Sequence, residues 1–119
     1  MRETEIQKRI LAGVSDLVVI HRSPAGLFYQ GKMIEHPHLG RILLHPREIK
    51  VLEEGYPDLT GFRRQDGKAV LIEVKTKTGK ATDEQERFIA YAAKCGCAAG
   101  IARSVAEARA IVTGAEEKR

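Results

Sequence analysis

The stretch Asp58-Leu59-Thr60-Gly61-Phe62-Arg63-Arg64-Gln65-Asp66-Gly67-Lys68-Ala69-Val70-Leu71-Ile72-Glu73-Val74-Lys75 decides the fold. Two strand-like runs, 58–64 and 69–76, flank Gln65-Asp66-Gly67-Lys68, and Asp-Gly between such runs is a strong signal for a two-residue hairpin turn. With Asp66 and Gly67 as the loop, Gln65 pairs with Lys68. Counting outward sets Phe62 opposite Leu71, Thr60 opposite Glu73 and Asp58 opposite Lys75. Side chains alternate along a strand, so Asp58, Glu73 and Lys75 project from one face, with Asp58 and Glu73 as diagonal neighbours about 7 Å apart at Cα. Val70, Ile72 and Val74 fill the opposite face, which predicts a central strand rather than an exposed edge.

Outward from the hairpin, Thr82 and Gln85 form a capping-box pattern that opens a helix to Lys94 or Cys95, and Gly96 suits the residue that ends it. Ala98–Ala102 is a short apolar strand. Ser104 and Glu107 form a second capping box, opening a helix to Val112, and the charged tail after Gly114 is expected to fray. On the other side, Ile6, Ile10 and Val14 recur at steps of four and predict an amphipathic helix over 3–14. Leu17 to His21 reads as a strand. Residues 23–54 are least legible: a strand within 26–34, another over 41–44, and a short helix over 46–53 with Pro46 near its first position and Gly55 closing it. The order of elements predicts a single α/β domain over 1–119, with a central mixed β-sheet flanked by helices.

A chain of 119 residues fits one domain, and a hydrophobic fraction of 43% suffices for one core. Aromatics make up only 5%, so that core must rest on Ile, Leu, Val and Ala. The net charge of +4 suits a polyanionic partner. No apolar run approaches the roughly 20 residues of a membrane span, and no apolar stretch follows the charged start as in a signal peptide. A cytoplasmic location away from membranes is expected, with Cys95 and Cys97 reduced. His36-Pro37-His38, with His21 and His45, reproduces no zinc-ligand spacing.

Asp58, Glu73 and Lys75 carry the chemistry. A lone Glu-x-Lys on a strand is usually a solvated ion pair. Here a second acid faces it from the partner strand, and apolar runs surround both. Two carboxylates near a buried strand end repel one another or demand partners. A hard divalent cation held by oxygen ligands resolves the repulsion, and Mg²⁺ typically takes few protein carboxylates and several waters. Asp58 and Glu73 are the expected ligands, with the carbonyl of Val74 as a further one. Such an ion polarises a phosphodiester oxygen and lowers the pKa of a bound water. Lys75 orients that water or stabilises charge developing on the phosphate.

Gly55-Tyr56-Pro57-Asp58-Leu59 followed by Ile72-Glu73-Val74-Lys75 resembles the PD-(D/E)XK nuclease signature. More narrowly, the chain resembles the stand-alone form of the virus-type replication-repair nuclease (VRR-NUC) domain, common in phages and prophages. Gln85 in Thr82-Asp83-Glu84-Gln85-Glu86-Arg87-Phe88 and the ending Ala99-Gly100-Ile101-Ala102-Arg103-Ser104 also look like that family. The likeness covers the first helix and residues 55–112, whereas residues 23–54 fit it poorly and carry more sequence than expected there.

The resemblance implies a restriction-endonuclease-like core and Mg²⁺-dependent hydrolysis of DNA phosphodiesters, with Mn²⁺ able to substitute. It also implies a glutamate from the first helix near the metal. Glu3 and Glu5 both qualify. Glu3, three before Ile6 and seven before Ile10, shares the core-facing stripe, whereas Glu5 lies about 100° off it. Glu3 is preferred, though complementing the helix dipole gives it a structural role of its own. Gln85 likewise has two readings, as a catalytic-site residue and as a cap for Thr82. Lys77 and Lys80, after the second strand, are placed to meet DNA phosphates. The stand-alone form is expected to be a homodimer resembling Holliday junction resolvases, acting on branched or flapped DNA in replication, repair or recombination. The alternatives are a catalytically silent DNA-binding module on the same fold and a sequence-specific restriction-type endonuclease.

Overall fold

The structure, a computed structural model, describes residues 1–23, 27–50 and 52–114. The elements run α1 (Glu3–Gly13), β1 (Val18–Arg22), β2 (Leu27–His36), β3 (Gly40–Lys50), β4 (Leu59–Arg63), β5 (Ala69–Val74), α2 (Asp83–Lys94), β6 (Ala98–Ala102) and α3 (Val105–Thr113). They divide into two compact units, one built from Met1–Ser23 and Gly55–Arg119, the other from Pro24–Glu54. Among the described residues, no helix is long and apolar enough to cross a membrane.

The first unit is α/β. Its mixed sheet has the order β1-β4-β5-β6, with β1/β4 and β4/β5 antiparallel and β5/β6 parallel. Val70, Ile72 and Val74 of β5 are fully buried and share a core with Ile6 and Ile10 of α1 and Ile111 of α3. The step-of-four pattern in the first helix is this buried stripe. Helix α2 packs on β5 and β6. Its Thr82 cap is complete, with Gln85 N–H donating to Thr82 Oγ1 and Thr82 N–H donating to Gln85 Oε1. At α3, Ser104 Oγ accepts from Glu107 N–H, but the Glu107 carboxylate accepts from Arg103 N–H rather than closing the box on Ser104. Cys95 and Cys97 are free thiols at the end of α2. The frayed tail expected after Gly114 lies outside the described residues.

The β4–β5 register differs from the one expected from a two-residue turn. Thr60 pairs with Leu71 and Phe62 with Ala69, and Arg63 N–H donates to the Lys68 carbonyl. The loop therefore takes four residues, Arg64–Gly67. Asp66 explains this: its carboxylate binds the Arg63 guanidinium and accepts from Lys68 N–H, which closes the longer loop. The pairing slips by two residues, so every side chain keeps its face. Asp58 comes opposite Glu73 instead of Lys75 when the ladder is continued by one residue.

The second unit is the antiparallel hairpin β2–β3. The short helix expected over 46–53 is not found among the described residues of that span. Residues 46–50 continue β3, and Arg47, Glu48 and Ile49 pair with Gln30, Tyr29 and Phe28. The register shifts between Gln30 and Lys32, so His45 and Pro46 together oppose Gly31. That bulge is the physical reason for the difference. Proline has no N–H to give a ladder, so Pro46 suits a bulge as well as a first helical turn. His45 adopts a left-handed φ of 51° there. A side chain at Gly31 would place its Cβ 2.5 Å from the Leu44 carbonyl oxygen, so the tight crossing requires glycine.

Candidate active site

Asp58 is set by the segment that precedes it. Gly55 has φ +84°, and a Cβ there would sit 2.7 Å from the Glu84 carbonyl oxygen of α2. Tyr56 packs edge-on against Phe88 of the same helix, with ring centroids 5.1 Å apart. Pro57 is fully buried. The Asp58 carbonyl accepts from Ser23 N–H at 2.7 Å, tying the start of β4 to the end of β1. The carboxylate then reaches across to β5, where Asp58 Oδ2 accepts from Val74 N–H at 2.9 Å. On the other side of the strand, Lys75 N–H donates to the Ala102 carbonyl at 3.1 Å and extends the β5–β6 pairing.

Glu73 is 1% exposed, and neither of its carboxylate oxygens has a hydrogen-bond partner among the described residues. Burial pushes its pKa well above the usual carboxylate range. The facing Asp58 carboxylate adds to the rise, Lys75 pulls against it, and Glu3 pushes it further up. Lys75 is half-buried, and among the described residues no salt bridge fixes it to either acid. Glu3 is half-buried at the start of α1 and close enough for Glu73 to feel its charge, whereas Glu5 is exposed. Among the described residues, no three His, Cys, Asp or Glu side chains gather closely enough to hold an ion by themselves. The arrangement is a facing carboxylate pair with a lysine beside it and a third acid farther off.

Gln85 is half-buried, with its amide oxygen turned back onto Thr82 N–H in the capping box. Lys77 and Lys80 are exposed on the loop after β5. Sequence reasoning missed what shapes that loop. Arg103, just past β6, donates from Nη1 to the carbonyls of Thr76 and Gly79, while Gly79 N–H donates to Thr76 Oγ1 at 3.0 Å. Nothing in the sequence separates Arg103 from a surface arginine, because its partners are backbone carbonyls more than 20 positions away. Arg103→Ala is expected to release residues 76–79, seen as faster amide exchange across that loop with β5 still protected. Unchanged exchange would remove the clamp from the account.

The family model of the VRR-NUC domain matches residues 28–106 of the 119. The match takes in the hairpin β2–β3, where the sequence likeness was weakest, together with the Asp58, Glu73 and Lys75 positions, and it begins after α1. No curated protein matches the chain. The mixed sheet, the two acids Asp58, just ahead of β4, and Glu73 on β5, and the span of that match agree, and the chain belongs to the VRR-NUC domain family, a family of nuclease domains.

Proposed function

We propose that the protein is a Mg²⁺-dependent DNA endonuclease that hydrolyses phosphodiester bonds in branched or flapped DNA. The observation that carries this reading is Glu73, a carboxyl group closed off from water, whose oxygens have no hydrogen-bond geometry to a partner among the described residues and whose pKa is raised by burial and by the Asp58 carboxylate facing it. Leaving such a group unsatisfied costs several kcal/mol on the order of magnitude given by transfer of buried polar groups. A hard cation satisfies both acids at once, so the donor set fits Mg²⁺ or Mn²⁺. Asp58 and Glu73 would hold the ion. Val74 directs its N–H at Asp58, and a residue in an extended strand sends its carbonyl to the same side, which supports that carbonyl as a further ligand. When bound, the metal supplies Lewis-acid polarisation of a phosphodiester oxygen and a water of lowered pKa.

The chain's own residues do the remainder. Lys75 Nζ, untied to either acid, donates to a non-bridging phosphate oxygen or to the attacking water as charge builds. Glu3 adds negative charge at the edge of the carboxylate pair and favours a cation there. With its oxygen engaged by Thr82, Gln85 has its amide nitrogen left to donate toward a phosphate. Lys77 and Lys80 lie on the loop after β5 and would meet phosphates flanking the cut.

Selectivity for branched DNA is supported by size, since a domain of this size offers little surface on which to read a long sequence. A homodimer would present two such centres to a symmetric junction. The test is a panel of flap, splayed-arm, nicked and four-way-junction substrates with Mg²⁺, Mn²⁺ or EDTA, with light scattering on the same samples. Metal-dependent cutting that favours branched substrates is expected, from a dimer. Binding without cutting would reassign the chain to a DNA-binding module, and one sharp product set from a long duplex would make it a restriction-type enzyme.

A further inference from the structure

The hairpin β2–β3 sorts its charges by face. Directly paired residues share a face, and alternate residues of one strand do too. Phe28, Gln30 and Lys32 therefore lie on one side with their partners Ile49, Arg47 and Leu44. Tyr29, Met33 and Glu35 lie on the other with Glu48, Leu43 and Arg41. Both acids of β2 and β3, Glu35 and Glu48, fall on the second face, while the first carries Lys32 and Arg47 with no acid between them.

Lys32 and Arg47 are exposed, and with Gln30, Gly31 and His45 they line a depression of about 560 Å³ beside the bulge. Arg47 Nη2 donates to Gln30 Oε1 at 2.7 Å, which holds the guanidinium over that depression while leaving it further donors. Phe28, one pair further along the same face, is 43% exposed. Lys32 and Arg47 are diagonal neighbours on that face, and no acid of β2 or β3 shares it, so the face suits an anion.

We propose that this face of the hairpin is a second DNA contact, in which Lys32 and Arg47 engage backbone phosphates other than the scissile one. The inference rests on the reading of the chain as a DNA nuclease and adds a site to it. The chemistry recognised is the phosphodiester, from either an unpaired strand or a duplex arm.

The test uses the full chain in EDTA, with anisotropy of a labelled oligonucleotide, single-stranded and duplex, across a salt series. Lys32→Ala, Arg47→Ala and Arg41→Ala each remove one charge, and circular dichroism checks that each folds. Lys32→Ala and Arg47→Ala should each weaken binding about threefold to tenfold. Each should also lower the salt slope by about 0.9 on duplex or about 0.7 on single strand. Arg41→Ala, on the opposite face, should change neither by as much. The arm that responds names the source of the phosphates.

Equal effects from all three variants would show bulk charge alone and overturn the proposal, as would no effect from Lys32→Ala. Loss of an oligomer with DNA binding intact would overturn it in favour of a protein interface. Cleavage with Mg²⁺ by the unsubstituted chain is read separately: its absence would sink the nuclease reading, whereas the binding series in EDTA decides this one, so the two can fail independently.

Discussion

Asp58→Ala is expected to lower Mg²⁺-dependent cleavage on the order of 10²-fold or more, with Lys75→Ala close behind. Loss of one electrostatic group at such a centre typically costs about 3–4 kcal/mol of transition-state stabilisation, and each 1.36 kcal/mol is about tenfold in rate. Asp58 has two separable roles. Its Oδ2 accepts from Val74 N–H, which contributes on the order of 1 kcal/mol to the fold. It also supplies half of the facing carboxylate pair. Asp58→Asn retains an oxygen for Val74 while removing the charge, so it should keep the melting temperature closer to wild type than Asp58→Ala and still lose activity. Cleavage within threefold of wild type for both variants would remove Asp58 from the mechanism. Lys75→Ala should leave metal binding in place while cutting falls, which separates a phosphate-directed cation from a ligand.

Glu73→Gln is expected to make the metal-free protein more stable above neutral pH and to abolish its stabilisation by Mg²⁺. The sign follows from the raised pKa. The folded state holds the Glu73 proton more tightly than the unfolded chain does. Stability is therefore lost as pH rises past the unfolded carboxylate value, near 4.5, and the loss accumulates until the higher folded value is passed. A glutamine carries no such charge at any pH. Wild type in EDTA should thus melt lower at pH 8 than at pH 5 by more than the variant does, with a difference on the order of 5 °C or more. Saturating Mg²⁺ should raise the melting temperature of wild type at pH 8 by linkage and leave the variant nearly unmoved. Parallel melting curves for the two proteins across pH, in EDTA, would mean that Glu73 is not the strained group described.

Much of this was legible in the sequence because the signals were local. Ala98–Ala102 is found at the limits its apolar run suggested, and the Thr82–Gln85 box is formed. The error in loop length leaves the alternation that relates Asp58, Glu73 and Lys75 unchanged, since a slip of two residues preserves it. What the sequence concealed depended on distant partners. The four-residue turn depends on Asp66 binding Arg63. The continuation of β3 through Pro46 depends on a bulge opposite Gly31. The Arg103 clamp joins a strand end to a loop through backbone oxygens. Proline and arginine allow several local conformations and partners, and only the strand opposite or the loop alongside selects among them.

The contact of Gly55 with the Glu84 backbone, together with the Tyr56–Phe88 ring pair, makes the peptide leading into Asp58 and the first turns of α2 a single mechanical piece. A displacement of that helix is passed to the acid it braces. The spacing between the two carboxylates is thus set in part from residues that never touch them, and a substitution at Phe88 would be expected to shift the affinity of the proposed ion as well as the stability of the fold.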